Sequence, residues 1–170
     1  MRFLLLFLAI LSSLSISSQR NITPTDTLYI RGKIQSEKKF SLSQLDSFPK
    51  ITLQDLVLYN QKGEVKDSIK SLKGILLKTL LAKTELVYEK PKELNEFCFV
   101  LTSSDSYKVV LSWNEIYNTT IGDQFFIITE MEGKPIREME ERILFLSAGD
   151  LKTGRRYVRG LDHIDVKRVN

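Results

Sequence analysis

Four basic side chains, Lys152, Arg155, Arg156 and Arg159, fall among three glycines in the stretch AGDLKTGRRYVRGLDHIDV, Ala148 to Val166. A guanidinium presents a planar fork that matches phosphate or carboxylate. Glycine has no Cβ, so nearby backbone N–H groups can come close to an anion. The segment is either an anion site or a solvated turn between two strands. Charge alone favours the turn, because most charged side chains face water.

Other reactive groups are sparse. Cys98 is the single cysteine, which excludes an internal disulfide framework. It lies in EFCFVL, Glu96 to Leu101, a buried-strand pattern that suits an inert core thiol better than a reactive one. His163 is the single histidine, which excludes a multi-histidine zinc centre. Ser147 and Asp150 are near it in sequence, but no nucleophile elbow accompanies them, so a Ser/His/Asp triad has no support. A surface or strand-end place is expected for His163.

The elements that must position these groups are mostly short strands. Leu28 to Ile34 reads as a first strand by partial alternation, and Ser41 to Phe48 as a short helix capped by Ser41 and stopped by Pro49. Ile51 to Tyr59 reads as a strand with a slip near Leu56. It turns at Asn60-Gln61-Lys62-Gly63 and returns over Glu64 to Leu72. Gly74 to Ala82 has the three-four apolar spacing of a helix. Strands follow at 96–102, 107–111, 125–129, 142–146 and 163–169. Ser112 caps a short helix that carries Trp113, Ile116 and Tyr117, and Glu132 to Pro135 forms a turn. In the last strand Ile164, Val166 and Val169 are expected to point inward. The fold class is α+β, mostly short strands in a mixed, barrel-like layer with few short helices.

The chain opens MRFLLLFLAILSSLSISSQRN. A basic start, an apolar run from Phe3 to Leu11 and a small-x-small site at Ser15-Ile16-Ser17 predict a secretory signal over residues 1–18. The apolar run is shorter than the ~20 residues a spanning helix needs. A short leader over 19–27 and a single domain over 28–170 complete the organisation. The expected location is secreted or periplasmic, with no stable membrane anchor after cleavage. The net charge of +4, from 25 basic and 21 acidic residues, is too small for a nucleic-acid partner. Asn118-Thr119-Thr120 is a glycosylation sequon that matters only in a eukaryotic host.

Several motifs recur in a telling order. Leu72-Lys73-Gly74-Ile75-Leu76-Leu77-Lys78-Thr79-Leu80-Leu81 is followed by Asp105-Ser106-Tyr107, then Glu132-Gly133-Lys134-Pro135-Ile136. The series closes on Arg156-Tyr157-Val158-Arg159-Gly160-Leu161-Asp162-His163-Ile164-Asp165-Val166. From about Leu28 to Val166 it resembles the molybdopterin-binding domain of the sulfite-oxidase family. The resemblance implies that fold, molybdopterin as cofactor, and a closing motif that helps grip the cofactor's phosphate. Carried over, the basic residue of that motif is Arg159, preceded by Tyr157 and Val158 and flanked by Arg155 and Arg156. Tyr59, Asn60 and Tyr107 are expected along the wall of the site.

The sequence departs from the family in two places. The resemblance calls for a cysteine thiolate on molybdenum near the hairpin, but Leu56 to Gly63 holds none, and Tyr59 or Asn60 stands in its place. A phenol or an amide does not replace a soft thiolate, so a bound metal is doubtful. The family's Asp-Gly-Tyr turn is Asp105-Ser106-Tyr107 here. If that turn needs positive φ, serine costs about 1 kcal/mol. The expectation is a secreted, non-catalytic domain that binds a pterin or another phosphorylated small molecule. One alternative is a molybdenum-dependent oxidoreductase acting on a small sulfur or nitrogen oxide. The other is a ligand-free interaction domain using Trp113 and Tyr117.

Overall fold

The computed structural model describes residues 21–60 and 62–169. The signal read over residues 1–18 and the first part of the leader lie outside the described residues. In chain order the strands are β1 (Thr27–Gly32), β2 (Lys38–Ser41), β3 (Ile51–Thr52), β4 (Leu56–Tyr59), β5 (Val65–Ile69), β6 (Lys73–Leu76) and β7 (Phe97–Ser103). They continue as β8 (Lys108–Ser112), β9 (Phe125–Met131), β10 (Lys134–Pro135), β11 (Leu144–Ser147), β12 (Tyr157–Arg159) and β13 (Leu161–Arg168). The α-helices are short: α1 (Leu42–Asp46), α2 (Leu77–Leu81) and α3 (Trp113–Tyr117). The molecule is therefore α+β with strands dominant.

A five-stranded sheet runs in the order β2-β1-β13-β7-β8. β13 is its centre, parallel to β1 and antiparallel to β7. Ile164 and Val166 are buried on it as their alternation predicts, but Val169 lies just past the strand and is 64% exposed. A second sheet runs β12-β11-β9-β6-β3, with β10 paired to β9. Leu28, Ile30, Phe99, Leu101, Phe125, Phe145, Ile164 and Val166 share the main core. The β4–β5 hairpin forms its own two-stranded sheet, and Leu58 and Ile69 join Phe126, Ile128, Leu144 and Leu146 in a smaller core.

Local chemistry explains the helix starts. Ser41 accepts from Gln44 N–H while the Gln44 side chain accepts from Ser41 N–H, a reciprocal capping box. Ser112 and Glu115 repeat it at α3. Two predicted elements are redrawn. The helix expected from Gly74 begins only at Leu77, because Lys73–Leu76 pairs with both β9 and β3. The strand expected from Ile51 to Tyr59 breaks at Leu53–Asp55. Ile51–Thr52 joins the second sheet and Leu56–Tyr59 the hairpin. In both places pairing across the sheet overrides an apolar spacing that fits either period.

Candidate functional site

A cavity of about 380 Å³ opens where three elements meet. The β4–β5 hairpin supplies Leu58, Tyr59, Asn60 and Lys66. The end of β7 and the turn into β8 supply Ser103, Asp105 and Tyr107. The segment leading into β12 supplies Gly154, Tyr157 and Arg159, and Ile22 comes from the start of the described chain.

Each wall is fixed by identifiable bonds. The hairpin turn is tied by Asn60, whose Oδ1 accepts the N–H groups of Lys62 and Glu64 at 2.9 and 3.0 Å. Its side-chain amide donates to Glu64 at 2.8 Å. Thr153 is buried and sews the other wall to β4: its hydroxyl donates to the Val57 carbonyl at 3.0 Å and accepts Tyr59 N–H at 3.1 Å. The Tyr107 hydroxyl donates to the Arg155 carbonyl at 2.6 Å, which links the β7–β8 turn to that same wall. The Tyr157 hydroxyl lies 4.0 Å from Met131 Sδ, and burial holds its phenol above the ordinary tyrosine range, helped by the charge of Glu141.

Of the six residues expected at the site, Arg159, Tyr157, Asn60 and Tyr107 line this cavity. Arg155 does not line it. The residue is exposed and presents its main-chain carbonyl to Tyr107 instead. Arg156 is turned to other work. Its Nε donates to Asp150 Oδ2 at 2.7 Å and its Nη2 to Asp150 Oδ1 at 2.5 Å, while Nη1 reaches Glu115 at 3.0 Å. The guanidinium also stands 5.0 Å from the centre of the Phe125 ring. These bonds, chiefly the one to Asp150, raise its pKa against the opposing effect of burial. Arg156 thus locks the 3-10 turn Thr153–Arg156 to the scaffold, and its positive charge is already matched by carboxylates. Among the described residues the Arg159 side chain has one ion-pair partner, the buried Glu141 at 2.8 Å.

Sequence reasoning missed Lys66, Leu58, Ser103 and Ile22. Lys66 sits in an alternating polar strand that carries no motif, and Ile22 belongs to a segment read only as a leader. The glycines have a different role from the one expected. A Cβ at Gly154 would fall 2.5 Å from the Tyr59 carbonyl, so this glycine lets the turn lie against β4. At Gly160, with φ of +59°, a Cβ would meet Ile22, Ser104 and Thr23. Both serve close backbone packing around the cavity. The turn at Asp105-Ser106-Tyr107 does keep left-handed geometry, with Ser106 at φ of +69°. Asp105 stabilises it by accepting Tyr107 N–H at 2.9 Å.

The lining suits an aromatic ligand that carries an acid group. Three tyrosines, Tyr59, Tyr107 and Tyr157, are among the lining residues, and Lys66 and Arg159 bring positive charge. It does not suit the metal. Tyr59 and Asn60 occupy the wall where the resemblance calls for a thiolate. Cys98 pairs with Lys167 and Ser112 at the start of β7, whereas the cavity takes Ser103 from the far end of that strand. Five residue steps along the strand separate them by ~17 Å. Among the described residues no group of three or more His, Cys, Asp or Glu side chains could hold a metal ion. His163 sits on β13 with Nδ1 2.6 Å from Asp162, and Ser147 donates to Asp150 at 2.6 Å. Asp150 in turn is held by Arg156, so no triad forms from these groups.

No protein-family model matches the chain, and no curated protein matches it. Among solved structures, the sulfane dehydrogenase SoxCD from Paracoccus pantotrophus is similar, with a TM-score of 0.60 at 14% sequence identity. The likeness covers 84% of this chain and 39% of that one, so this chain spans well under half of that protein's length. What the two share is the fold, which supports a distant resemblance of the kind read from the order of motifs.

Proposed function

We propose that this chain is a non-catalytic binding domain whose cavity holds a pterin or another aromatic, phosphorylated small molecule without a metal. The observation that carries the reading is the composition of the cavity wall. Tyr59, Tyr107 and Tyr157 surround it, Lys66 and Arg159 supply cations, and no thiol faces it among the described residues. Stacking on an aromatic side chain contributes about 1–3 kcal/mol per heteroaromatic ring. A charge-assisted bond to an acid group adds about 1.5–3 kcal/mol. The domain is further proposed to work outside the cytoplasm, secreted or periplasmic, after loss of residues 1–18. N-terminal sequencing of the exported protein tests that part.

The ligand is tested on the purified protein by elemental analysis for molybdenum, mass spectrometry of released small molecules, and titration with fluorescent pterin-6-carboxylate. The expected result is saturable binding of the pterin acid with no stoichiometric metal. Stoichiometric molybdenum with oxidase or reductase turnover overturns the reading. So does failure of aromatic acids and inorganic phosphate alike to bind.

A further inference from the structure

The first described residues do not trail away from the fold. Thr23 and Ser104 bond each other twice: Thr23 N–H donates to Ser104 Oγ at 3.0 Å, and the Ser104 hydroxyl donates to the Thr23 carbonyl at 2.8 Å. Two residues later Thr25 is buried, donates its hydroxyl to the Leu161 carbonyl at 3.0 Å, and bridges in parallel to Arg142. Just outside these anchors Ile22 is half-buried and lines the cavity. Gly160 makes this approach possible, since a Cβ there would lie 2.8 Å from Ile22 Cγ2 and 2.9 Å from the Thr23 carbonyl.

The anchors differ in strength. Thr25 is held in the interior, whereas the Thr23–Ser104 pair is at an exposed edge where water competes for the same bonds. Exposed hydrogen bonds open locally far more often than the whole fold does. Ile22 and Leu58 are the aliphatic groups on a wall otherwise built of tyrosines, charges, small polar side chains and Gly154, and Leu58 is buried in the fixed hairpin whereas Ile22 is on the strap.

We infer that Ile22 sets the size limit of the ligand, on a strap that swings about Thr25 when the Thr23–Ser104 bonds open. The inference rests on the binding reading above. Ligand enters or outgrows the cavity at this wall, while the hairpin and the turn before β12 stay fixed by Thr153. A small planar acid fits with the strap closed, and a ligand with a bulky substituent needs it open.

The decisive test needs no ligand. In a Cys98→Ser background, Tyr59→Cys places one thiol on the cavity wall, and its labelling is timed with a small methanethiosulfonate and with bulky fluorescein maleimide. Ser104→Ala removes both strap bonds, and Ile22→Ala removes the plug. Ser104→Ala is expected to raise the maleimide rate at least about fivefold relative to the small reagent, the factor that even one ordinary hydrogen bond makes in an opening equilibrium, and Ile22→Ala to raise it in the same direction by widening the wall. Circular dichroism confirms that each variant is folded, and Ile22→Ala serves if Ser104→Ala is not. An unchanged ratio of the two rates in the folded variants overturns the inference. On the otherwise native chain, Ile22→Trp is expected to weaken pterin-6-carboxylate binding at least tenfold. If labelling shifts but no pterin binds to any form, the binding reading fails and the strap stands. If pterin binds equally to all forms and labelling does not shift, the strap fails alone.

Discussion

Arg156 and Asp150 are joined by two parallel bonds, Nε to Oδ2 at 2.7 Å and Nη2 to Oδ1 at 2.5 Å, and Ser147 donates to the same carboxylate. The Asp150 side chain is only 11% exposed, so removing its partner strands a mostly buried charge. Arg156→Ala is expected to lower unfolding free energy by about 3 kcal/mol in urea denaturation. Pterin-6-carboxylate affinity should change little at temperatures where the variant remains folded. A large loss of affinity in folded protein would mean that Arg156 reaches the ligand.

Arg159 presents the opposite case. It lines the cavity, and its one ion-pair partner among the described residues is the buried Glu141. Glu141→Gln keeps the shape and removes the competing charge. Pterin-6-carboxylate should then bind several-fold more tightly, and Arg159→Gln should weaken it about tenfold, the worth of one charge-assisted bond. Fluorescence titration of the two variants beside the parent checks both directions.

Ser106 holds a φ of +69° in the turn between β7 and β8. Glycine adopts that conformation without the clash that a Cβ makes with the carbonyl. Ser106→Gly is expected to stabilise the protein by about 1 kcal/mol, less a few tenths for the freer unfolded chain. Thermal or urea unfolding measures it, and a destabilised variant contradicts the account of the turn.

Glu93 accepts Glu89 N–H at 3.0 Å and Arg168 Nη1 at 2.8 Å. The backbone bond and the nearby guanidinium hold its carboxyl below its ordinary value of 4.5. A lowered folded pKa stabilises above the unfolded value, and that contribution disappears as pH falls from about 4.5 through the folded value. Urea midpoints measured from pH 6 downward should drop across that window, and the drop should be smaller in Glu93→Gln. Partial burial shifts tyrosine the other way: Tyr117 packs beside Trp113 and, although 39% exposed, is pushed up to about 12. Its share of stability is intact below pH 10 and is lost as pH rises towards 12, which absorbance titration of the phenolate can follow.

The scaffold was legible because its signals are local. Ser41 and Ser112 announce their caps, Asn60 to Gly63 its turn, and Ile164 and Val166 the inward face of the last strand. Asn60, Tyr107, Tyr157 and Arg159 are expected at one site through the family resemblance rather than through local signals, and the four line one cavity. What stayed hidden depends on partners remote in sequence. Glu115 lies 41 residues from Arg156, so no spacing reveals that this arginine is spent on the scaffold. Ser104 meets Thr23 across 81 residues, and a segment that looks like a leader becomes part of the wall. Gly74 to Leu76 misled for another reason: three apolar or small residues suit a buried strand as well as the first turn of a helix.

The parallel seam between β1 and β13 joins the first of the described strands to the last. Until β13 has been synthesised, the large sheet lacks its middle, and β1 has only the edge strand β2 beside it. A nascent chain therefore has no smaller version of this fold to settle into. Closure waits for β13 to leave the ribosome, and a topology so rich in distant pairings assembles slowly. Deletion of β13 would take the keystone out of the sheet rather than trim its margin.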